Sequence, residues 1–322
     1  LLLIIATIAL FSSSTKEQVK RDYHENTQLK YQVNTKDGRF DGTYTSWHPN
    51  GQKKAEGQFK NNQRIGSWKV WNPTGVLKVH RVYQNHFQFQ VLAYQGDQDI
   101  ALPRPDLAVY ELTKNEAGFI EYPVTEADNV YWEKRIWRSV EDNTTNAPLF
   151  SGQSKELLFK ELAAAKEIPI YKADSDGFKA SFNARERKQL LHQENVELLA
   201  YEIKEVQFFE LTRNLSESRI LGICPIVKID DKEQALCWLK YEDIRPFLAK
   251  QKVSVAYNPM VETVEDWLHF RHFQSLIKKE SNVYNRAIAD YATGDALEKE
   301  QERIEMQMID LEHDLWMFEP LK

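Results

Sequence analysis

His269 and His272, three residues apart, are the pair in this chain whose spacing comes nearest to a metal site, and Glu312, His313 and Asp314 cluster further on. H-x-x-H does not place a general base beside zinc as H-E-x-x-H does, so these histidines read as structural. Two cysteines occur, Cys224 and Cys237, without a neighbouring histidine, which leaves them short of a four-ligand zinc site. Both lie in apolar runs of what reads as one hairpin. They are a possible disulfide if their Cα atoms come within about 4.4 to 6.8 Å, and otherwise two buried free thiols. The sequence has no Gly-rich phosphate loop, no G-x-S-x-G elbow and no Cys–His nucleophile arrangement. The expectation is a protein that is not an enzyme and needs no cofactor or metal.

Recognition then falls to the folded elements. With 42% hydrophobic residues and 12% aromatics in 322, the chain can bury a sizeable core and fill two domains. A net charge of −6 argues against a basic field for phosphate backbones or anionic lipid, so nucleic acid is not an expected partner. Leu1 to Phe11 is mostly apolar and runs into Ser12-Ser13-Ser14-Thr15. A spanning helix needs about 20 residues, so this stretch fits the apolar region of a secretory signal better than a membrane span. Residues 1–14 are expected to be a signal peptide remnant and 15–28 a linker, with the mature protein in the periplasm and no membrane span.

The next segment repeats. Gly42-Thr-Tyr44-Thr-Ser-Trp47-His-Pro49-Asn50-Gly51 aligns with Gly66-Ser-Trp68-Lys-Val-Trp71-Asn-Pro73-Thr74-Gly75 at an offset of 24, and a half copy begins upstream at Leu29. Pro-Asn-Gly and Pro-Thr-Gly are turn chemistry between short aromatic runs, so each period is one hairpin. A lone hairpin cannot bury an aromatic face, so hairpins must stack, with Trp47, Trp68 and Trp71 the core candidates over residues 29–95. Interrupted by Pro103, Pro105, Gly118 and Pro123, residues 96–128 read as a partly ordered linker with brief strands near Leu107 to Leu112 and Phe119 to Tyr122.

A mixed domain follows over 129–322. Val130 to Val140, helix or strand, carries Arg135 and Arg138 beside Trp132 and Trp137. Such residues anchor protein interfaces, so the two arginines are candidate partner-binding groups, with solvated arginines as the plainer alternative. Ser154 can cap a helix through Ala165, and Asn183 one over Ala184 to Gln193. Ile168 to Phe182, split at Asp176-Gly177, reads as a hairpin. Val196 to Leu211, Arg219 to Ile229 and Gln234 to Tyr241 read as strands of an antiparallel sheet covered on both faces. Asp243 to Lys250 suggests a helical turn. Thr263 to Asp266 resembles a capping box opening a helix with Trp267, Phe270 and Ile277 on one face. Thr293-Gly294-Asp295 breaks it from a last helix with Leu297, Ile304, Met308, Leu311 and Leu315. The fold class is α+β: stacked antiparallel hairpins, then a mixed domain with a central antiparallel sheet and C-terminal helices.

Five ordered fragments resemble a known family: 131–150 (YWEKRIWRSVEDNTTNAPLF), 200–214 (AYEIKEVQFFELTRN), 218–226 (SRILGICPI), 235–250 (ALCWLKYEDIRPFLAK) and the stretch from Trp267 to Trp316. Together they resemble the GldN (PorN) family, and the repeats resemble MORN-like repeats of the YwqK type. The GldN resemblance implies a non-enzymatic periplasmic scaffold of type IX secretion and gliding. It further implies a homo-oligomeric ring, associated with the outer membrane through a GldK/PorK-like lipoprotein, that contacts the periplasmic segment of a GldM/PorM-like motor protein. The family's D-L-R-x-x-x-N-x-P-L region departs here to Val140-Glu-Asp-Asn-Thr-Thr-Asn146-Ala-Pro148-Leu149. The repeats are not a standard family part and suggest an adaptor for another partner. An alternative reading is a periplasmic repeat-type antitoxin or immunity protein.

Overall fold

The computed structural model of the chain describes residues 17–36, 38–85, 88–95, 98–100, 113–150, 158–174, 177–192, 196–213, 215–253 and 261–317. It forms two compact units, Leu1–Pro105 and Asp106–Lys322. The expected signal remnant lies outside the described residues.

Unit 1 is an antiparallel sheet in which every strand pairs with its neighbours in sequence: β1 (Glu17–Tyr23), β2 (Leu29–Lys36), β3 (Arg39–Trp47), β4 (Lys53–Lys60), β5 (Gln63–Trp71), β6 (Leu77–Asn85), β7 (Gln88–Gln95) and β8 (Gln98–Ile100). Three of its turns are built alike. His24, His48 and Asn72 donate their backbone N–H to the carbonyls of Gln28, Gln52 and Val76 at 2.8, 2.8 and 2.9 Å. Thr27, Gly51 and Gly75 fill the left-handed position with φ of +66°, +82° and +82°.

Each turn is stitched to the next. His24 Nε2 donates to the carbonyl of Trp47 and His48 Nε2 to that of Trp71, both at 2.8 Å. Asn26 Nδ2 and Asn50 Nδ2 donate to the carbonyls of Pro49 and Pro73, both at 2.7 Å. Residues 17–28, expected within a linker, are therefore a further copy of the repeat. Glu25 and Thr27 replace the Pro and Gly of the later turns and erase their turn signature, while His24 and Asn26 keep the bonds that matter.

Strand alternation divides the aromatics. Tyr31, Val33, Tyr44, Phe59, Trp68 and Val70 are buried, with Trp68 stacked 5.5 Å from Tyr44 and edge-on 4.9 Å from Phe59. Gly57 makes room for the indole, since a Cβ there would sit 2.2 Å from the Trp68 ring. Trp47 and Trp71 are not core residues. Both are half-buried, and Trp71 is three residues along the strand from Trp68, an odd step that points it to the opposite face.

Unit 2 holds a seven-stranded antiparallel sheet of β9 (Val130–Glu141), β10 (Tyr171–Lys172), β11 (Glu197–Glu210), β12 (Leu215–Ile229), β13 (Lys232–Ala235), β14 (Cys237–Lys240) and β15 (Leu276–Glu280). Its order is β10-β14-β12-β11-β9-β15, with β13 paired to β12. Asp230 and Asp231, with φ of +48° and +62°, form the tight turn between β12 and β13. Helices α1 (Ala147–Phe150), α2 (Leu158–Ala164), α3 (Ala184–Leu191), α4 (Tyr241–Leu248), α5 (Val264–His269) and α6 (Asp295–Trp316) complete the unit. Asn183 and Thr263 cap α3 and α5 with reciprocal capping boxes, as their spacing suggests. The expected helix start at Ser154 lies outside the described residues.

Ile136, Arg138 and Val140 lie on one face of β9, and Trp137, Ser139 and Glu141 on the other. The first face carries the main core, from Val140, Ile203 and Ile223 to Trp267 and Leu268, and the smaller cluster of Ile136, Ile277, Ile304 and Met308 that receives α6. The second face carries a small cluster of Trp137, Ala200, Cys224, Ile226 and Trp238. Cys237 belongs to the main core and Cys224 to the opposite face, and both are unbonded. The possible disulfide is therefore not formed: the pleat aims the two thiols to opposite sides of the sheet.

The expected linker is only partly one. Phe119 is buried against α4, its ring 4.2 Å from the Arg245 guanidinium, so residues 113–126 belong to unit 2. No strand forms at Phe119 to Tyr122, and Leu107 to Leu112 lies outside the described residues. The Trp68→Ala change is expected to cost unit 1 about 3–5 kcal/mol through the cavity it leaves, and Trp71→Ala about 1 kcal/mol or less. Urea unfolding followed by circular dichroism measures both, and equal losses would contradict the face assignment.

Candidate interaction surfaces and the ionic centres behind them

Arg138 was a candidate for partner binding, but it points inward. Its Nε donates to Glu205 Oε1 at 2.5 Å and its Nη1 to Glu305 Oε2 at 2.9 Å, tying β9 to β11 and α6. Arg271 Nη1 reaches the other Glu205 oxygen at 2.7 Å. Burial alone would raise the Glu205 carboxyl, but the guanidiniums of Arg138 and Arg271 hold it down at about 2. Arg138 is pushed the other way, since Glu205 and Glu305 outweigh the burial that would lower it.

Backbone strain puts Arg271 in place. The sequence suggested one helical face running from Trp267 to Ile277, yet α5 ends at His269. Arg271 adopts φ +55°, and the N–H groups of Arg271 and His272 return to the carbonyls of Leu268 and Trp267 at 3.0 and 2.9 Å. This closes the helix in the manner usually left to glycine. A left-handed arginine costs about 1 kcal/mol or more, offset here by its ion pair with Glu205. Ile277 consequently sits on β15, and His272 lies beyond the helix that carries His269. Among the described residues, no three His, Cys, Asp or Glu side chains gather as a metal-holding group.

A second ionic centre anchors residues 113–122. Arg245 Nε donates to Glu265 Oε1 at 2.8 Å, its Nη2 donates to the carbonyl of Ile120, and Tyr241 OH donates to the same carboxylate at 3.2 Å. Lys114 Nζ lies 2.7 Å from Asp266 Oδ2. Burial raises the Glu265 carboxyl against the pull of Arg245 and pushes Tyr122 up to about 12. Glu205, Arg271, Arg245 and Glu265 escaped sequence reasoning because nothing local marks them; their partners are distant in the chain.

Asn146, in the stretch that departs from the family pattern, is fully buried. Its Nδ2 donates to the carbonyls of Glu141 and Gln274, and its Oδ1 accepts from Gln274 N–H, all at 2.8 Å. It therefore staples the end of β9 to the approach to β15.

The surface offers different groups. Arg135 is half-exposed and 3.3 Å from Glu133, so it remains available at the surface where Arg138 does not. Beyond β15, Val283 is 97% and Tyr284 76% exposed, with the Arg286 guanidinium 4.9 Å from the Tyr284 ring and 5.6 Å from that of Tyr291. Near β15 a groove of about 550 Å³ is lined by Ser139, Glu141, Ala200 and Ile226 together with Ile288, Leu297 and Gln301. Burial raises both thiols, Cys237 to about 12 and Cys224 well above its ordinary value, so neither is a poised nucleophile.

His269 gives this unit a pH signature. Burial first, then Arg245, lowers its imidazole to about 4 while Asp266 opposes. A folded value below the ordinary one of about 6.5 means stability that is complete above pH 6.5 and lost as pH falls towards 4, on the order of 2–3 kcal/mol. Glu205 adds a separate loss at lower pH, between its ordinary range near 4 and its folded value of about 2. His269→Phe should remove the first loss and leave the second, measured by urea unfolding from pH 7 to 3; an unchanged profile would contradict this assignment.

Comparison with known families matches residues 125–317 to the model described as gliding motility associated protein GldN, and residues 40–61 to a MORN repeat variant. No curated protein matches the chain. The GldN match starts just before β9 and ends with α6, spanning the sheet and the Glu205 centre, while Lys114 and Ile120 of the second centre lie ahead of it. The chain belongs to the GldN family, and so to the machinery of gliding motility and type IX secretion.

Proposed function

We propose that this protein is a non-enzymatic periplasmic scaffold of the type IX secretion and gliding apparatus, forming a ring with a GldK/PorK-like lipoprotein and contacting a GldM/PorM-like motor protein. Family membership across 125–317 is the observation that carries the reading. The disposition of charged groups supports it. Arg138, Arg245, Arg271, Glu205 and Glu265 are consumed in buried or half-buried ion pairs that tie strands and helices of unit 2 to one another.

Such pairs suit a part that transmits force, because removing one member of a buried pair costs about 3–5 kcal/mol. No described helix is long and apolar enough to cross a membrane, and in this reading the lipoprotein supplies the attachment. Purification of the native complex from envelope extracts, viewed by electron microscopy, is expected to show a large ring containing a lipoprotein. A compact one-to-one complex with a toxin would instead establish the immunity reading and overturn this one.

A further inference from the structure

Large hydrophobic residues that stay exposed are not spread evenly over the chain. Nine occur among the described residues, and four of them, Leu276, Val283, Tyr284 and Tyr291, fall within 276–291, on β15 and just after it. Clustering of this kind marks a contact surface, whereas a single exposed apolar residue carries no such message.

The loop that bears Val283 and Tyr284 is built to hold them out. Ser281 N–H donates to the Arg135 carbonyl at 2.8 Å, and Asn285, with φ +54°, turns the chain and donates its N–H to the Asn282 carbonyl at 3.0 Å. The Asn282 side chain closes the loop: its Nδ2 donates to the carbonyls of Glu280 and Arg286 at 2.9 and 2.8 Å, and its Oδ1 accepts from Arg286 N–H at 3.0 Å. A loop fixed in this way loses little further freedom on binding. Arg286 is the one charged residue of 281–287. Its guanidinium lies over the Tyr284 and Tyr291 rings and meets no carboxylate among the described residues. The acids beside it are engaged elsewhere. Glu280 lies 2.7 Å from Lys134, Glu300 is 2.7 Å from Arg303 and accepts from the Tyr291 hydroxyl at 3.0 Å, and Asp290 accepts from Ala287 N–H at 2.8 Å.

The groove near β15 begins where this loop ends. Ile288 lines it with Leu276 and Leu297, and also lines a recess of about 110 Å³ bounded by Tyr284, Arg286 and Tyr291, so projection and groove lie side by side. The groove carries the exposed carboxylates of Glu141, Asp142 and Glu233, which make no ion pair among the described residues. Lys278, the cation of the lining, lies 3.6 Å from Glu202, and Lys228, opposite Glu233 across β12 and β13, lies 2.9 Å from Asp231.

We propose that two copies of the chain associate through this face about a two-fold axis, the Val283–Tyr284 projection of each entering the groove of the other and Arg286 meeting the groove's carboxylates. A guanidinium without a carboxylate and carboxylates without a cation complement each other. Apolar groups at the centre with charge at the margin are the anatomy of a specific contact, and Tyr and Arg are the residue types that most often dominate one. A projection beside a groove on one face is self-complementary under a two-fold rotation, which makes a second copy the fitting occupant. The inference rests on the assembly reading for its role: paired copies are the unit that the lipoprotein gathers into the ring.

Sedimentation velocity of the full chain over a range of concentrations, at low and high salt, tests the contact. Expected is a monomer–dimer equilibrium that weakens with salt. Arg286→Glu, and separately Glu141→Arg with Asp142→Arg, should each weaken it about tenfold or more, as should Val283→Ser with Tyr284→Ser. The first two variants mixed in equal amounts should associate again, because opposite charges then meet at both contacts, and this separates a broken contact from a broken fold. A monomer at every concentration, charge-reversed variants that dimerise like the parent, a mixture that stays monomeric, or open-ended growth from a head-to-tail contact would each overturn the proposal. It also fails if the parent is monomeric while Val283→Ser with Tyr284→Ser abolishes co-sedimentation with phosphatidylglycerol vesicles, or entry into the lipoprotein ring, since the loop then serves a membrane or another protein. Entry of a non-dimerising chain into the ring would sink this proposal and leave the assembly reading standing, whereas dimers without any ring would remove the assembly reading alone.

Discussion

Glu205 is a carboxylate almost without solvent, held between two guanidiniums, and unit 2 is organised around it. It projects from β11, an inner strand of the sheet between β12 and β9. Arg138 brings β9 to it, Arg271 brings the end of α5, and through Arg138 the pair extends to Glu305 on α6. An unpaired carboxylate at this depth would be prohibitive, so the sheet and both C-terminal helices must be placed together or not at all. The strained backbone at Arg271 makes sense only in this light. It ends a helix early so that one side chain can reach a charge that has no other way to be balanced from that side.

What the sequence disclosed, and what it withheld, follows from range. Asn183 and Thr263 were legible as caps because both halves of a capping box lie three residues apart. Pro49-Asn50-Gly51 and Pro73-Thr74-Gly75 were legible as turns because their residue types are dictated by backbone angles. The turn at His24 was missed, since Thr27 occupies a left-handed position that glycine would have announced. The end of α5 was missed for the same reason at Arg271. Trp47 and Trp71 were misplaced because aromatic content was weighed without counting parity along the strand. Arg138 read as an interface anchor because its neighbours in sequence are aromatic, whereas its partners lie 67 and 167 residues away. No local pattern reports such partners.

The two units obey different physics, which bears on how the protein serves an assembly. Unit 1 is held by aromatic stacking on one face and by a hydrogen-bond stitch that repeats from turn to turn, so its stability is built from neighbour to neighbour. Unit 2 is held by long-range ion pairs beneath a continuous core. The first design leaves β1 at the edge of its sheet, and the second ties helices to its sheet through buried charges.

Amide hydrogen exchange on the Glu205→Gln chain, compared with the parent, addresses the central claim most directly. If Glu205 organises unit 2, protection should fall together in β9, β11, the end of α5 and α6, while β2 to β6 of unit 1 remain unchanged. Loss confined to β11, or no loss in α6, would show that the helices are held independently of this carboxylate and would contradict the account.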